Sequence, residues 1–134
     1  MSKDEDYILD ICDKVLRRES VRQKRFDFLR GLPSRKTGRC AMLPVDAYYP
    51  AKELVIEYHE KQHTKSGWNR PTACGLNRDE QRRRYDEIRK KTLPKKGIKL
   101  VVIDYMEFET NAKGRLKRTK SDRATVRRLL HKFI

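Results

Sequence analysis

Residues 98–105, opened by Gly97, centre on Leu100-Val101-Val102-Ile103, an unbroken apolar and largely β-branched stretch of strand length. A strand that is apolar on both faces predicts a place in the middle of a sheet with helices packed on each side, which confines the chain to a layered α/β architecture. Two further segments, 40–43 and 45–49, and a third, 54–58, are rich in β-branched and aromatic residues and punctuated by Pro44 and Pro50, so three more strands are expected ahead of it.

Helices are expected around this sheet. Ser2 and Glu5 have capping-box spacing, and Ile8, Ile11, Cys12, Val15 and Leu16 follow at helical intervals to about Arg18. Ser20 and Gln23 repeat that spacing before Val21, Phe26, Phe28 and Leu29, with Gly31 and Pro33 as a stop, which predicts a second or kinked helix. Asn77 and Glu80 cap a basic helix that is expected to end before Pro94. Val126, Leu129, Leu130 and Phe133 fall on one helical stripe behind Ser121 and Asp122. Residues 64–75 mix Gly, Pro, Asn and Ser without periodicity, as a mobile loop would.

At 134 residues the chain suits one domain, 1–134, divided into an N-terminal helical region 3–30, a sheet and helix over 39–105, and a basic C-terminal arm and helix over 111–134. The acidic start MSKDEDYILD is unlike a secretory signal, no stretch is long and apolar enough for a bilayer, and three widely spaced cysteines make no disulfide framework. A cytoplasmic protein with reduced thiols and no membrane partner is expected.

The net charge of +15 is unevenly placed. Residues 65–99 hold 12 Lys and Arg against 4 Asp and Glu, and residues 111–134 hold 9 against 1, so each segment carries +8 and the remainder −1. Two basic surfaces framing a nearly neutral core suit a polyanion, for which nucleic acid is the leading candidate.

Chemistry concentrates in PVDAYYPAKELVIEYHEKQH. Asp46 lies on one expected strand and Glu57 near the end of the next, where two carboxylates can converge as an oxygen-rich seat for Mg2+, or Mn2+ in its place. Glu57 interrupts the apolar run LVIEY, and a charge there is costly to bury without a partner.

Asp46-Ala47-Tyr48-Tyr49-Pro50 and Ile56-Glu57-Tyr58-His59-Glu60-Lys61-Gln62-His63 resemble the pattern D-x-Y-x-P then I-E-Y-(D/H)-x-x-Q-H of the very-short-patch-repair-like endonucleases, a group of the PD-(D/E)XK nuclease superfamily. The similarity spans residues 43–105. It implies a restriction-endonuclease-like α/β fold, a mixed four-stranded sheet flanked by helices in the order α-β-β-β-α-β-α, and a metal-dependent endonuclease that hydrolyses DNA. By the same resemblance Asp46, Glu57 and the Tyr58 carbonyl would bind the metal, His59 stands where the superfamily has lysine, and Gln62 and His63 would orient or activate water. Glu60 replaces a glycine common in that turn.

The expected partner is double-stranded DNA, bound by a monomer or homodimer. Lys61, Arg78, Arg82, Arg83, Arg84, Arg89, Lys117 and Arg118 are the expected phosphate contacts, and Trp68 could stack on a base. Two other readings compete. One is a non-catalytic DNA- or RNA-binding protein on the same fold. The other is a zinc protease, since His59-Glu60-Lys61-Gln62-His63 spells H-E-x-x-H, which needs a helix over about 54–64.

Overall fold

The computed structural model describes residues 3–61 and 71–134. Helix α1 (Lys3–Leu16) leads into strands β1 (Val21–Arg30), β2 (Met42–Tyr49) and β3 (Leu54–His59). Helix α2 (Arg78–Lys95), strand β4 (Lys99–Asp104) and helix α3 (Asp122–Leu129) follow. The order is α-β-β-β-α-β-α, as the resemblance implies. One mixed sheet runs β1-β2-β3-β4, antiparallel between β1, β2 and β3 and parallel between β3 and β4. The parallel pair needs a crossover, and α2 supplies it.

Each face of the sheet has its own apolar layer. Ile8, Leu9 and Cys12 of α1 and Val126 of α3 pack with Leu54, Ile56, Tyr58 and Ile103. On the opposite face Leu93 of α2 joins Phe26, Leu29, Leu43, Val45, Val55 and Ile98. No described helix is long and apolar enough to cross a membrane.

Four expectations are corrected. Residues 21–30 form a strand instead of a second helix, so the N-terminal region 3–30 is half helical: Ser20 accepts from Arg22 Nε (2.7 Å) instead of capping a helix, and Phe26 and Phe28 stack with ring centroids 5.0 Å apart. The aromatic spacing fits either period, and pairing with β2 decides it.

Residues 40–43 and 45–49 are not separate strands, because β2 runs through Pro44. Pro44 pairs with Arg25 of β1, whereas the β3 ladder is confined to residues 47–49, so the missing proline donor leaves no gap on that side. Helix α2 likewise continues through Pro94 without the i→i−4 bond that an amide there would give to the Lys90 carbonyl, and the chain reverses as the amides of Lys96 and Ile98 both donate to the Leu93 carbonyl (each 3.0 Å). Finally, β4 lies at the sheet's edge, and Val102 is 38% exposed. Sheet burial on one flank only is enough to account for its apolar sequence.

Ser2, with its capping role, and most of the loop expected at 64–75 fall outside the described residues. The described part of that loop is a closed turn: Thr72 N–H donates to the Leu76 carbonyl (2.7 Å), and Arg35 N–H to that of Ala73 (2.8 Å).

One irregularity positions the site. In a regular strand Leu43, Val45, Ala47 and Tyr49 would share a face. Here Leu43 and Val45 join the α2 layer while Ala47 and Tyr49 join the α1/α3 layer, so β2 changes face at Asp46. Opposite it, between the pairs Arg22↔Ala47 and Lys24↔Val45, Gln23 has a left-handed φ of 52°. The two strands turn together at the residue that carries the first carboxylate.

Candidate active site

Asp46 and Glu57 meet across β2 and β3 and are interlocked through the backbone. The amide of Asp46 donates to Glu57 Oε2 (2.5 Å), and the amide of Tyr58 donates to Asp46 Oδ2 (2.8 Å). Glu57 is only 5% exposed, flanked on its own strand by buried Ile56 and Tyr58. Burial, and then the charge of Asp46, push its carboxyl up to about 8, against the pull of Arg89. Burial also raises Asp46, opposed by the Tyr58 amide, Arg89 and His59.

A third carboxylate comes from α1. Glu5 shares a hydrogen bond with Asp46 and accepts one from Gln23 Nε2 (3.3 Å). Burial, then the charges of Asp46 and Glu60, raise Glu5 to about 7. Gln23 therefore serves twice, its backbone turning β1 opposite Asp46 and its side chain holding Glu5. Glu60, just beyond β3, is raised by burial and then by Asp4 and Asp46.

On the α2 side, Arg89 clasps the pair. Its Nε lies 3.4 Å from Glu57 Oε1, its guanidinium donates to the Pro44 carbonyl (3.2 and 3.0 Å), and it meets Asp86 at 3.3 Å. His59 shares the face of Glu57, two residues on, and its Nε2 lies 3.9 Å from Asp86 Oδ1. The five carboxylates Glu5, Asp46, Glu57, Glu60 and Asp86 line a cavity of about 260 Å³ with His59, Arg82 and Arg89. Arg82 Nε is buried and lacks a hydrogen-bond partner among the described residues.

Asp46, Glu57, Tyr58 and His59 are thus brought together as expected from the sequence, and Arg82 joins them. Arg89, expected to face phosphates, is turned inward at 14% side-chain exposure. Arg83 borders a second cavity of about 370 Å³ together with Glu57 and His59, whereas Arg78 and Arg84 lie exposed on α2 outside both cavities. Lys61 and Arg118 border a neighbouring groove, and Lys117 is exposed beside it. Gln62, His63 and Trp68 lie outside the described residues.

The zinc-protease reading is overturned at its first histidine. His59 ends strand β3, where side chains alternate between faces, so the helix that H-E-x-x-H requires over 54–64 does not form. Glu5 was missed from the sequence. Its signal was present, since it falls on the same helical stripe as Ile8, Leu9 and Cys12, an acid on an apolar face.

No protein-family model matches the chain, and no curated protein matches it. Among solved structures it is similar to the 5-hydroxymethylcytosine-specific restriction enzyme AbaSI at 15% identity and a TM-score of 0.47, over 97% of this chain and 40% of that one. The chain spans less than half the length of that enzyme's chain, and a likeness so distant carries no substrate or activity across.

Proposed function

We propose that this chain is a metal-dependent endonuclease of the very-short-patch-repair-like kind, hydrolysing phosphodiester bonds of double-stranded DNA. The observation that carries the reading is the interlocked pair of half-buried Asp46 and buried Glu57 with Glu5 beside it, opening on a cavity that also holds His59 and Arg82.

The donor set fits Mg2+. Among the described residues no group of three or more His, Cys, Asp and Glu side chains forms a ready metal cage. Mg2+ does not require one, because it is usually held by one or two carboxylates with water and substrate oxygens completing the octahedron. The raised carboxyls of Glu57 and Glu5 fit the same conclusion: negative charge is crowded into a buried space where a cation would relieve it. When bound, Mg2+ would supply Lewis-acid polarisation of the phosphoryl group and acidify water.

The residues then divide the work. Asp46 and Glu57, with the Tyr58 carbonyl, hold the metal, and Glu5 adds charge from α1. Arg89 keeps Glu57 in place. Arg82 adds positive charge to the cavity wall. His59, in the place of the superfamily lysine, faces the cavity from the strand end. Gln62 and His63 follow three and four residues later and position the water that forms the new bond to phosphorus as the bond to the leaving oxygen breaks in line.

Asp46→Asn and Glu57→Gln are each expected to abolish Mg2+-dependent cutting of duplex DNA while leaving salt-sensitive binding in place. Normal cutting by both variants would show that the site is misassigned. A non-catalytic DNA-binding protein is the second reading, favoured by one feature: the Asp46 and Glu57 carboxylates already accept backbone hydrogen bonds from one another's strands and so are satisfied without a ligand. It predicts binding without cutting on any duplex, nicked, branched or mismatched DNA.

A further inference from the structure

The sequence points to α2 as the helix that tracks phosphates, but much of its charge is spent within the protein. Arg82 and Arg83 both pair with Asp79 (2.7 and 3.1 Å), Arg89 with Asp86 and Glu57, and Lys91 with Glu87 (3.2 Å). An arginine already beside a carboxylate gains less from a phosphate, because it must give up or share that partner.

The C-terminal segment is different. Thr110 and Leu116 form an antiparallel bridge closed by a turn. Asn111 organises the turn: its carbonyl accepts from Gly114 N–H (3.0 Å), and its side-chain oxygen accepts from the amides of Lys113 (2.9 Å) and Arg115 (3.1 Å). The hairpin is anchored to α1, where Leu116 is buried and its amide donates to Asp4 Oδ2 (3.1 Å). Gly114 has φ +81°, and a Cβ there would collide with the Lys61 side chain, so glycine lets the turn close onto the chain leaving β3. Lys113, Arg115 and Lys117 are exposed on this fixed support, and none stands within ion-pair distance of a carboxylate among the described residues.

Between the hairpin and the first turn of α1 runs a groove of about 630 Å³, with Lys3, Lys61, Lys113 and Arg115 along it. Tyr58 and Glu60 line both this groove and the carboxylate cavity, so the two adjoin. Two acids lie in the groove. Asp4 is occupied by the Leu116 amide and Arg118, and Glu60 sits at the junction within the field of Arg115.

We infer that this groove is a binding site for a DNA phosphodiester backbone, in which Lys61, Lys113 and Arg115 grip the phosphates of the strand that enters the carboxylate cavity. Pair for pair, the cations of the hairpin contribute more to DNA affinity than those of α2. This rests on the reading of the neighbouring site as one that meets DNA, but its binding test is separate from cleavage.

The test is fluorescence anisotropy with a labelled DNA duplex in EDTA, over about 50 to 200 mM salt. Wild type is compared with Lys113→Ala/Arg115→Ala and with Arg84→Ala/Lys90→Ala, two exposed α2 cations that have no ion pair among the described residues. Losing two phosphate contacts should reduce the slope of log K against log salt by about 1.8 and weaken binding at about 0.1 M salt by roughly 10- to 60-fold. The α2 pair should change the slope by less than half as much. A hairpin pair with the wild-type slope, or an α2 pair with the larger loss, overturns the inference, as does a wild type that binds no DNA. Both hairpin residues are exposed, and Lys113→Gln/Arg115→Gln provides a second variant that preserves side-chain bulk. Assays with Mg2+ separate the two claims: a hairpin-dependent slope without cutting keeps the groove and removes the nuclease, whereas cutting with an unchanged slope does the reverse.

Discussion

Replacing Glu57 by Gln is expected to remove cleavage activity and to make the metal-free protein gain stability relative to wild type as the pH rises towards neutrality. Glu57 is 5% exposed, and its carboxyl is pushed from 4.5 up to about 8, first by burial and then by the charge of Asp46. A carboxyl raised in the folded state contributes its full stability only below its unfolded value. As pH climbs, the unfolded chain releases the proton first, and that contribution is lost up to the folded value, at about 1.4 kcal/mol per pH unit. From about pH 5 to about pH 7 the wild type should therefore lose on the order of 3 kcal/mol relative to a variant with no proton to release, a difference of roughly 10 °C in Tm. The variant keeps an oxygen for the Asp46 amide, and Arg89 keeps the Pro44 carbonyl and Asp86. Any fixed cost of the amide is nearly the same at both pH values and drops out of the comparison. Urea denaturation of both proteins in EDTA at the two pH values measures it. A stability gap that does not change with pH refutes the argument that Glu57 is a buried, charge-crowded carboxyl.

Two further perturbations test the supports of the site. Glu5→Gln retains a donor for Asp46 but cannot carry charge, so the Mg2+ concentration needed for half-maximal cleavage should rise about tenfold with little change in Tm; an unchanged Mg2+ requirement would remove Glu5 from the metal's surroundings. Asp122 is 2% exposed and accepts from Tyr7 Oη (2.7 Å) and the Thr119 amide (3.1 Å), so Asp122→Ala should cost about 2 to 3 kcal/mol in thermal or urea unfolding. A loss under about 0.5 kcal/mol would mean that those donors find other partners.

What could be read from the sequence depended on how local the deciding contacts are. Asn77 accepts from the Glu80 amide at 2.8 Å, as their spacing predicts, because a cap is settled within four residues. Strand β3 was legible for a similar reason, its apolar run fitting no exposed element. By contrast, β1 carries Phe26, Phe28 and Leu29 at spacings that suit a helix or a strand, and only β2, some twenty residues on, selects between them. The edge position of β4 is not local either, since the same Leu100–Ile103 stretch would serve in the centre of a wider sheet.

The site divides along the same line. Asp46 and Glu57 stood out because an acid in an apolar strand is conspicuous. Glu5 is equally misplaced on its helix, yet three acids in a row at 4–6 disguise it as ordinary N-terminal charge. Arg89 looks like its neighbours in a helix crowded with arginines. Its inward orientation follows from sharing a face with Tyr85 and Ile88, a stripe too thin to stand out by periodicity alone.

The hold of the last third of the chain on α1 affects when the site comes into being. Asp4 grips the Leu116 amide and Arg118, and Tyr7 donates to Asp122, so Glu5 lies between two anchors that belong to residues more than a hundred positions away. A chain emerging from the ribosome displays Asp46 and Glu57 long before those anchors exist. The carboxylate cluster is therefore assembled last although its first member is made first, and a nascent or C-terminally clipped chain carries every acid of the site without the frame that gathers them.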